Sequence, residues 1–336
     1  MRYPAMLLAC ALVAACSASA ETFIIGPTDP AGIQGAIDAA ESGDTIELLD
    51  GTYQGENNRE LDFGGKAITL RSKNRVPRNC ILDCEGLGRA LLFHSGEGAD
   101  ALVSGLTLRN GLGSASEDAG GAILIGLSGN AASPMIEECI FEGNTALSGG
   151  AVYVTDGSAP TLRGCVFVAN TASGGRGGGL ACADGTPSFE HCTLVGNHAV
   201  LGGGGLSAGG GSQVEVNRSI LYGNSSDAAG SGAAYCHDGG AIALACSDVC
   251  GHADGDWVGC LSGQADTNGN LSFDPIFCLE FCPDDPYTLH IESPCADVFG
   301  CGLLGARPVS CGPVPDEGMS WGATKHQFRP RPDEDQ

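Results

Sequence analysis

Three stretches of the chain place a thiol, an amide and a glycine-rich segment close together. They read CIFEGNTALSGGAVYV from Cys139, CVFVANTASGGRGGGL from Cys165 and CTLVGNHAVLGGGGLS from Cys192. A cysteine thiolate is both a nucleophile and a metal ligand, so each stretch taken alone could contribute to an active site. The three recur at spacings of 26 and 27 residues, however, and a fixed period of about 20 to 50 residues is typical of stacked structural repeats. The recurrence favours a structural role for these residues.

The repeat unit consists of short runs of alternating apolar residues separated by glycine, asparagine and aspartate. No helical periodicity runs across the repeats, so each unit is predicted to be two or three short strands with their bends. Strands that recur at one register, with no room for a crossover helix, stack as coils of a parallel β-helix about 4.8 Å apart. The sequence therefore predicts an all-β fold, a single-stranded parallel β-helix with an N-terminal capping helix and a disulfide-rich C-terminal cap.

Alternation along the strands assigns each repeated position to the inside or the outside of the coil. The cysteine column faces inward with the large apolar residues that follow it, and its thiols fill the core. The asparagine column lies at a bend, where each amide can bond its counterpart in the next coil. The column between cysteine and phenylalanine faces outward and is the candidate contact ladder. The structural columns are Cys139, Cys165 and Cys192, and Asn144, Asn170, Asn197 and Asn224; the contact ladder is Ile140, Val166, Thr193 and Ile220.

Two chemical alternatives for the cysteine column are disfavoured. Parallel side chains in register are poorly oriented for a disulfide bond. No histidine or carboxylate shares the layer to complete a metal site. We therefore expect free, buried thiols in this column.

The first 20 residues have the layout of a secretory signal peptide, with Arg2, an apolar run and a small-residue cleavage region before Glu21. The run that ends at Cys16 also resembles a bacterial lipobox, in which that cysteine carries a lipid anchor. Both alternatives place the mature chain outside the cytoplasm, either secreted or on the outer surface of a bacterial envelope. In an exported protein a high cysteine content implies disulfides, and nine of the 17 cysteines lie between Cys236 and Cys311.

Composition and spacing divide the chain into five predicted segments. The glycine-rich repeats form the long central part, an amphipathic stretch precedes them, and irregular cysteine-rich and proline-rich stretches follow. The segments are a signal peptide (1–20), an N-terminal cap with a short helix (21–43), β-helix coils (44–258), a cysteine-rich C-terminal cap (259–312) and a flexible tail (313–336).

Several stretches resemble known families. IQGAIDAAESGDTIELLDGTY resembles the start of pectin-lyase-like right-handed β-helix proteins, and the CIFEGN and GGA motifs are similar to the repeats of polymorphic outer-membrane proteins and bacterial parallel β-helix repeat proteins. GDWVGCLSGQADTNGNLSFDPIFC and SPCADVFGCGLLGA resemble the closing segment of exported bacterial β-helix proteins that generally lack an assigned activity. The resemblance implies a right-handed β-helix and export, and it leaves polysaccharide cleavage open as an activity.

Catalytic signatures of the pectin-lyase-like enzymes are missing from the sequence. RVPRN at Arg75 shares only the beginning of the Arg-x-Pro-x-x-Arg motif of pectate lyases, and the polygalacturonase motifs Asn-Thr-Asp, Gly-His-Gly and Arg-Ile-Lys do not occur. DTNGN, with Asp266, Asn268 and Asn270, faintly resembles a calcium loop, but the twelfth position of that loop is Phe277 instead of glutamate. We therefore expect no cofactor, with calcium as the alternative.

The net charge of −24 disfavours nucleic acid, anionic lipid and anionic polysaccharides as direct partners. With no catalytic signature, the sequence favours an exported, non-enzymatic protein of the cell surface or extracellular space. Its predicted function is adhesion or the binding of extracellular glycan, matrix or a cell-surface protein through the contact ladder, with a membrane link only through Cys16. The alternative is a polysaccharide lyase or glycoside hydrolase of pectin-lyase-like fold.

Overall fold

A computed structural model describes residues 19–113, 118–279, 282 and 285–311 of the 336-residue chain. The leader with Cys16 and the C-terminal tail lie outside these residues. Within them, short parallel strands stack into the coils of a β-helix, and its longest sheet has nine strands. The predicted fold class is confirmed: an all-β parallel β-helix with one α-helix near the N-terminus and disulfide-bonded cysteines near the C-terminus.

Each coil of the repeated region contributes one strand to each of four sheets, in the chain order A, B, D, C. Sheet A comprises Thr22–Ile25, Thr45–Leu48, Thr69–Ser72, Leu102–Ser104, Met135–Glu137, Thr161–Arg163, Ser188–Glu190, Gln213–Asn217 and Ala241–Ala245. Sheet B comprises Gly51–Tyr53, Cys80–Asp83, Thr107–Arg109, Ile140–Glu142, Val166–Val168, Thr193–Val195, Ile220–Tyr222 and Asp248–Cys250. Sheet C comprises Leu61–Asp62, Leu91–Phe93, Ile123–Ile125, Val152–Val154, Leu180–Cys182, Leu206–Ala208 and Ala234–Cys236. Sheet D comprises Thr145–Ala146, Thr171–Ala172, His198–Ala199 and Ser225–Ser226.

A few short elements lie outside these sheets. Leu289–His290 pairs with Val309–Cys311, and the helix spans Gly32–Ala39. The 3₁₀ turns are Glu56–Asn58, Pro77–Asn79 and Gly259–Leu261. Among the described residues, no helix is long and apolar enough to span a bilayer.

The interior is built from side chains stacked in register. Phe141 and Phe167 pair across neighbouring coils, and their rings stack at 4.5 Å with an interplanar angle of 11°. Cys139, Cys165 and Cys192 are fully buried beside them as free thiols. Burial raises the pKa of the Cys139 and Cys165 thiols well above the usual value, so these groups are protonated and behave as small core hydrophobes.

The asparagine column forms a continuous buried hydrogen-bond ladder. The amide nitrogens of Asn144, Asn170 and Asn197 each donate to the Oδ1 of the asparagine one coil further on, at 2.9 Å in all three steps. The left-handed conformation at the bend belongs to the residue before each asparagine, as at Ala169 with φ of 53°. The asparagine therefore stabilises the bend through its side chain, and its neighbour supplies the unusual backbone angle.

The helix Gly32–Ala39 closes the N-terminal end of the core. Its buried face carries Ile33, Ala36 and Ile37, and the Ile33 N–H donates to Asn58 Oδ1 at 2.9 Å. Thr22–Ile25 pairs with Thr45–Leu48 as the outermost strand of sheet A. The helix thus covers apolar side chains that would otherwise face water at the end of the rod.

The C-terminal part of the chain folds back over the outside of sheet B. Residues 285–311 form this segment, which we call the strap. Within the described residues three disulfides hold the C-terminal region: Cys236–Cys260, Cys246–Cys301 and Cys278–Cys311. The second of them joins the strap directly to the end of the sheet A strand Ala241–Ala245.

The strap overturns the prediction of an exposed contact ladder. Ile140, Val166, Thr193 and Ile220 are only 1, 0, 1 and 0% exposed, although they lie on the outer side of sheet B as the alternation indicates. The strap N–H of Ala306 donates to Thr193 Oγ1 at 2.8 Å. The strap approaches this closely through Gly305, where a Cβ atom would lie 2.7 Å from Ile220 Cδ1. Repeat periodicity could not reveal this cover because the strap itself is not part of the repeat.

Candidate binding groove

A column of residues lies on the outer side of sheet C. Among the described residues, no hydrogen bond or ion pair joins this column to the strap. Leu124, Tyr153, Ala181, Ser207 and Tyr235 stand in register on consecutive strands. Their neighbours in each strand, such as Val152 and Val154, point into the core. At about 4.8 Å for each strand, the two tyrosines are about 14 Å apart along the rod axis.

Small residues lie between the two tyrosines. Ala181 and Ser207 fill the intervening steps of the column and are buried, whereas both tyrosines are half-buried. The cavity on this face lies at the Tyr153 end of the column, next to Leu124. We call the outer face of the column from Tyr153 to Tyr235, together with this cavity, the groove.

Loops on both sides of sheet C form the walls at the Tyr153 end. One wall carries Leu147, which is 48% exposed. A cavity of about 340 Å³ lies at this end of the groove. Its lining combines apolar, hydroxyl and carboxylate groups: Leu124, Leu127, Leu147, Ser148, Tyr153, Thr155, Asp118 and Asp156 among others.

The carboxylates at this end are held by backbone groups. Asp118 Oδ1 accepts a hydrogen bond from the Leu147 N–H at 2.8 Å, and Asp156 Oδ2 accepts one from the Gly129 N–H at 3.1 Å. Each carboxylate has further lone pairs that can accept hydrogen bonds from hydroxyl donors. Burial, with smaller contributions from Cys182 and Asp156, raises the pKa of Tyr153, so its phenol is a hydrogen-bond donor at neutral pH.

The Tyr235 end of the groove has a cationic neighbour. The guanidinium carbon of Arg176 lies 5.5 Å from the centre of the Tyr235 ring, within the range of a cation–π contact. The His237 ring stacks against the Tyr235 ring, with ring centres 5.8 Å apart and an interplanar angle of 26°. These contacts fix the orientation of the tyrosine ring.

A second, larger cavity of about 560 Å³ lies at the bend beside sheet B. Its side chains are engaged with one another: Arg109 donates two hydrogen bonds to Asp83 Oδ2, and Asn110 donates one to Oδ1 at 2.9 Å. Burial tends to raise the pKa of Asp83, but hydrogen bonds from Asn110, the Glu85 backbone and Arg109 outweigh it and lower the pKa below its usual value. The cavity lacks an aromatic platform, and its carboxylate is committed to internal bonds.

The structure does not bring the residues of the DTNGN stretch together as calcium ligands. Asp266 is exposed, whereas Asn270 is buried, and its amide donates to the Leu244 carbonyl at 3.1 Å. In the part of the chain that the structure describes, no cluster of three or more histidine, cysteine or acidic side chains could hold a metal ion.

Sequence reasoning missed the groove for a specific reason. The outer column of sheet C changes residue type from coil to coil, so it forms no repeated motif. The signal was the column of tyrosine, alanine, serine and tyrosine at Tyr153, Ala181, Ser207 and Tyr235, which becomes visible once the strand register is known.

Comparison with known proteins identifies the family of the chain. A family model described as the right-handed beta helix region matches residues 46–241, more than half of the chain. No curated protein and no solved structure matches the chain at a significant level.

Proposed function

Since the chain belongs to the family of the right-handed beta helix region, we propose that it is an exported protein that binds a neutral glycan chain in the groove of sheet C. Membership of a fold family leaves the activity open, so the proposal depends on the groove. The observation that carries it is the pair of half-buried tyrosines, Tyr153 and Tyr235, in one column with small residues between them.

The chemistry of the groove suits sugars. Tyrosine rings offer flat apolar surfaces with a polar edge, and sugar rings present apolar C–H faces with hydroxyl groups around them. Asp118, Asp156, Ser148 and Thr155 supply acceptors and donors near the Tyr153 platform. The two tyrosines are about 14 Å apart along the rod, a separation that matches a chain of several sugar units better than a single small molecule.

Electrostatics select the class of glycan. The chain carries a net charge of −24, and carboxylates line the Tyr153 end of the groove. A uronate-rich polymer would be repelled at such a surface. A neutral polysaccharide is therefore the favoured ligand.

Binding without cleavage is favoured over lyase or hydrolase activity. Glycoside hydrolysis requires a carboxylic acid that stays protonated near neutral pH. Burial raises the pKa of Asp248 to about 7, but this residue lies beneath the strap on sheet B. Export is supported by the disulfides of the C-terminal region, because such bonds persist in oxidising compartments.

The test is binding to a panel of neutral and uronate glycans, measured by isothermal titration together with an assay for newly formed reducing or unsaturated ends. We expect binding to neutral glycans without product. Tyr153→Ala and Tyr235→Ala should each weaken binding about tenfold, since an aromatic contact contributes on the order of 1.4 kcal/mol.

Phe299→Ala is the matched control, because Phe299 is fully exposed on the strap, at 102%. It should leave glycan affinity unchanged. Formation of product would establish the enzymatic alternative, and equal affinity of the tyrosine variants and the wild type would refute the groove as the site.

A further inference from the structure

The strap closes over a carboxyl group that the groove does not use. Asp248 continues the outer column of sheet B, because it pairs in register with Ile220, and its side chain is fully buried. Oδ1 accepts a hydrogen bond from the Phe273 N–H at 2.9 Å. Within the described residues Oδ2 is buried with no hydrogen bond of ordinary geometry, and the Cys295 thiol of the strap, a weak donor, lies beside the carboxyl. An ionised carboxylate in this place lacks the solvation that water would provide.

The titratable groups facing Asp248 are acids and thiols. They are Cys250 on its own strand, Asp256 and Asp274 in the segments that follow, and Cys295 on the strap. Burial raises the pKa of Asp248 to about 7 against the lowering effects of the Phe273 amide and the Cys295 thiol, and the carboxylates of Asp256 and Asp274 add to the rise. The neutral form of Asp248 is therefore the one that fits beneath the docked strap.

Docking of the strap and burial of Asp248 occur together. Cys295, Leu289 and Leu304 of the strap form a buried cluster with Ile220, the column neighbour of Asp248. Next to this cluster the Gly305 N–H donates to the Arg218 carbonyl at 2.8 Å. Lifting this part of the strap would admit water to Asp248 and uncover the column at the same time.

We propose that the strap is a pH-controlled cover of sheet B, docked while Asp248 is protonated and loosened when Asp248 ionises. In the open state Asp248 is solvated, with an ordinary pKa near 3.8. Between about pH 4 and pH 7 the docked state holds a proton that the open state releases, so opening becomes more favourable by up to about tenfold for each pH unit. Above about pH 7 both states are ionised and the effect levels off.

This pH-controlled cover is independent of the glycan groove. It makes the exposure of the outer column of sheet B depend on pH. Ile140, Val166, Thr193 and Ile220 form an apolar strip that is covered at acidic pH. Above neutral pH the strip becomes transiently accessible while the Cys246–Cys301 disulfide keeps the strap attached.

Hydrogen exchange of the full chain with its disulfides intact tests the proposal. The amides of Gly305 and Ala306 report docking, since they donate to Arg218 and Thr193. Their protection factors, corrected for the intrinsic rate, should fall about a hundredfold from pH 5 to pH 8. Asp248→Asn should abolish this fall, and Asp274→Asn, which changes an exposed carboxylate nearby, should preserve most of it.

A second measurement covers the case in which Asp248→Asn does not fold. Carbon-13 NMR of aspartate-labelled wild-type protein should show a carboxyl resonance that titrates near pH 7, with the change in protection levelling off at the same pH. Protection that is independent of pH between 5 and 8, or an unchanged pH dependence in Asp248→Asn, would overturn the proposal.

Discussion

Individual side chains in the repeat are explained by their position in a stack and not by local motif. A thiol, an amide and glycines in one stretch are the components of many active sites, yet here the thiols are buried in the core and the amides bond one another. The in-register pairing of strands in neighbouring coils is the cause. Once strands pair residue for residue, each repeated side chain meets its own kind in the next coil, and mutual satisfaction of buried polar groups follows.

Asn170→Ala tests the ladder. The substitution removes the acceptor of the Asn144 N–H and amide and the donor to the Phe141 carbonyl. Each buried group left without a partner costs about 1–3 kcal/mol, so we expect a loss of roughly 2–5 kcal/mol in the free energy of unfolding. Urea denaturation measures it. Asn74→Ala, at an exposed side chain that bonds Asp50, should change stability by less than about 0.5 kcal/mol, and a similar loss in both variants would refute the ladder's role.

The strands, bends and capping helix followed from sequence pattern, but the strap did not. Alternation and period identify a β-helix coil because every coil repeats the same local constraints. The strap makes its contacts at long sequence separations, such as the 113 residues between Ala306 and Thr193, and irregular sequence carries no signal for such docking. For that reason the outward direction of Ile140 and Ile220 was predicted, whereas their burial was not.

The disulfide Cys246–Cys301 is predicted to keep the strap in place. It closes a separation of 55 residues, for which chain-entropy arguments give a stabilisation of about 4 kcal/mol. The double variant Cys246→Ser/Cys301→Ser should therefore expose the outer column of sheet B and bind a hydrophobic dye. Limited proteolysis should cut the strap first.

Cys236→Ser/Cys260→Ser is the matched control. That disulfide joins the last strand of sheet C to the turn Gly259–Leu261 and includes no strap residue. It should leave the strap resistant to protease. Equal sensitivity of the two double variants would contradict a specific tether.

The rod presents three long faces that differ in their side chains and in whether the strap covers them. Sheet B is covered by the strap, and sheet A carries ion pairs between neighbouring coils, such as Arg71–Glu47 at 2.7 Å and Arg163–Glu137 at 2.6 Å. Sheet C combines aromatic, apolar and acidic groups around a depression. Binding sites concentrate where aromatic platforms and a few polar groups share a concave surface. The architecture therefore directs the proposed function to the groove between Tyr153 and Tyr235.

NMR of ring-labelled tyrosine during titration with a neutral oligosaccharide tests that claim most directly. The described residues include Tyr53, Tyr222 and Tyr287, which pack in the core or against Phe277 and serve as internal controls. The account predicts that the Tyr153 and Tyr235 resonances shift together with one dissociation constant while the controls stay still. Shifts at the control tyrosines alone, or none at Tyr153 and Tyr235 with any neutral glycan, would contradict it.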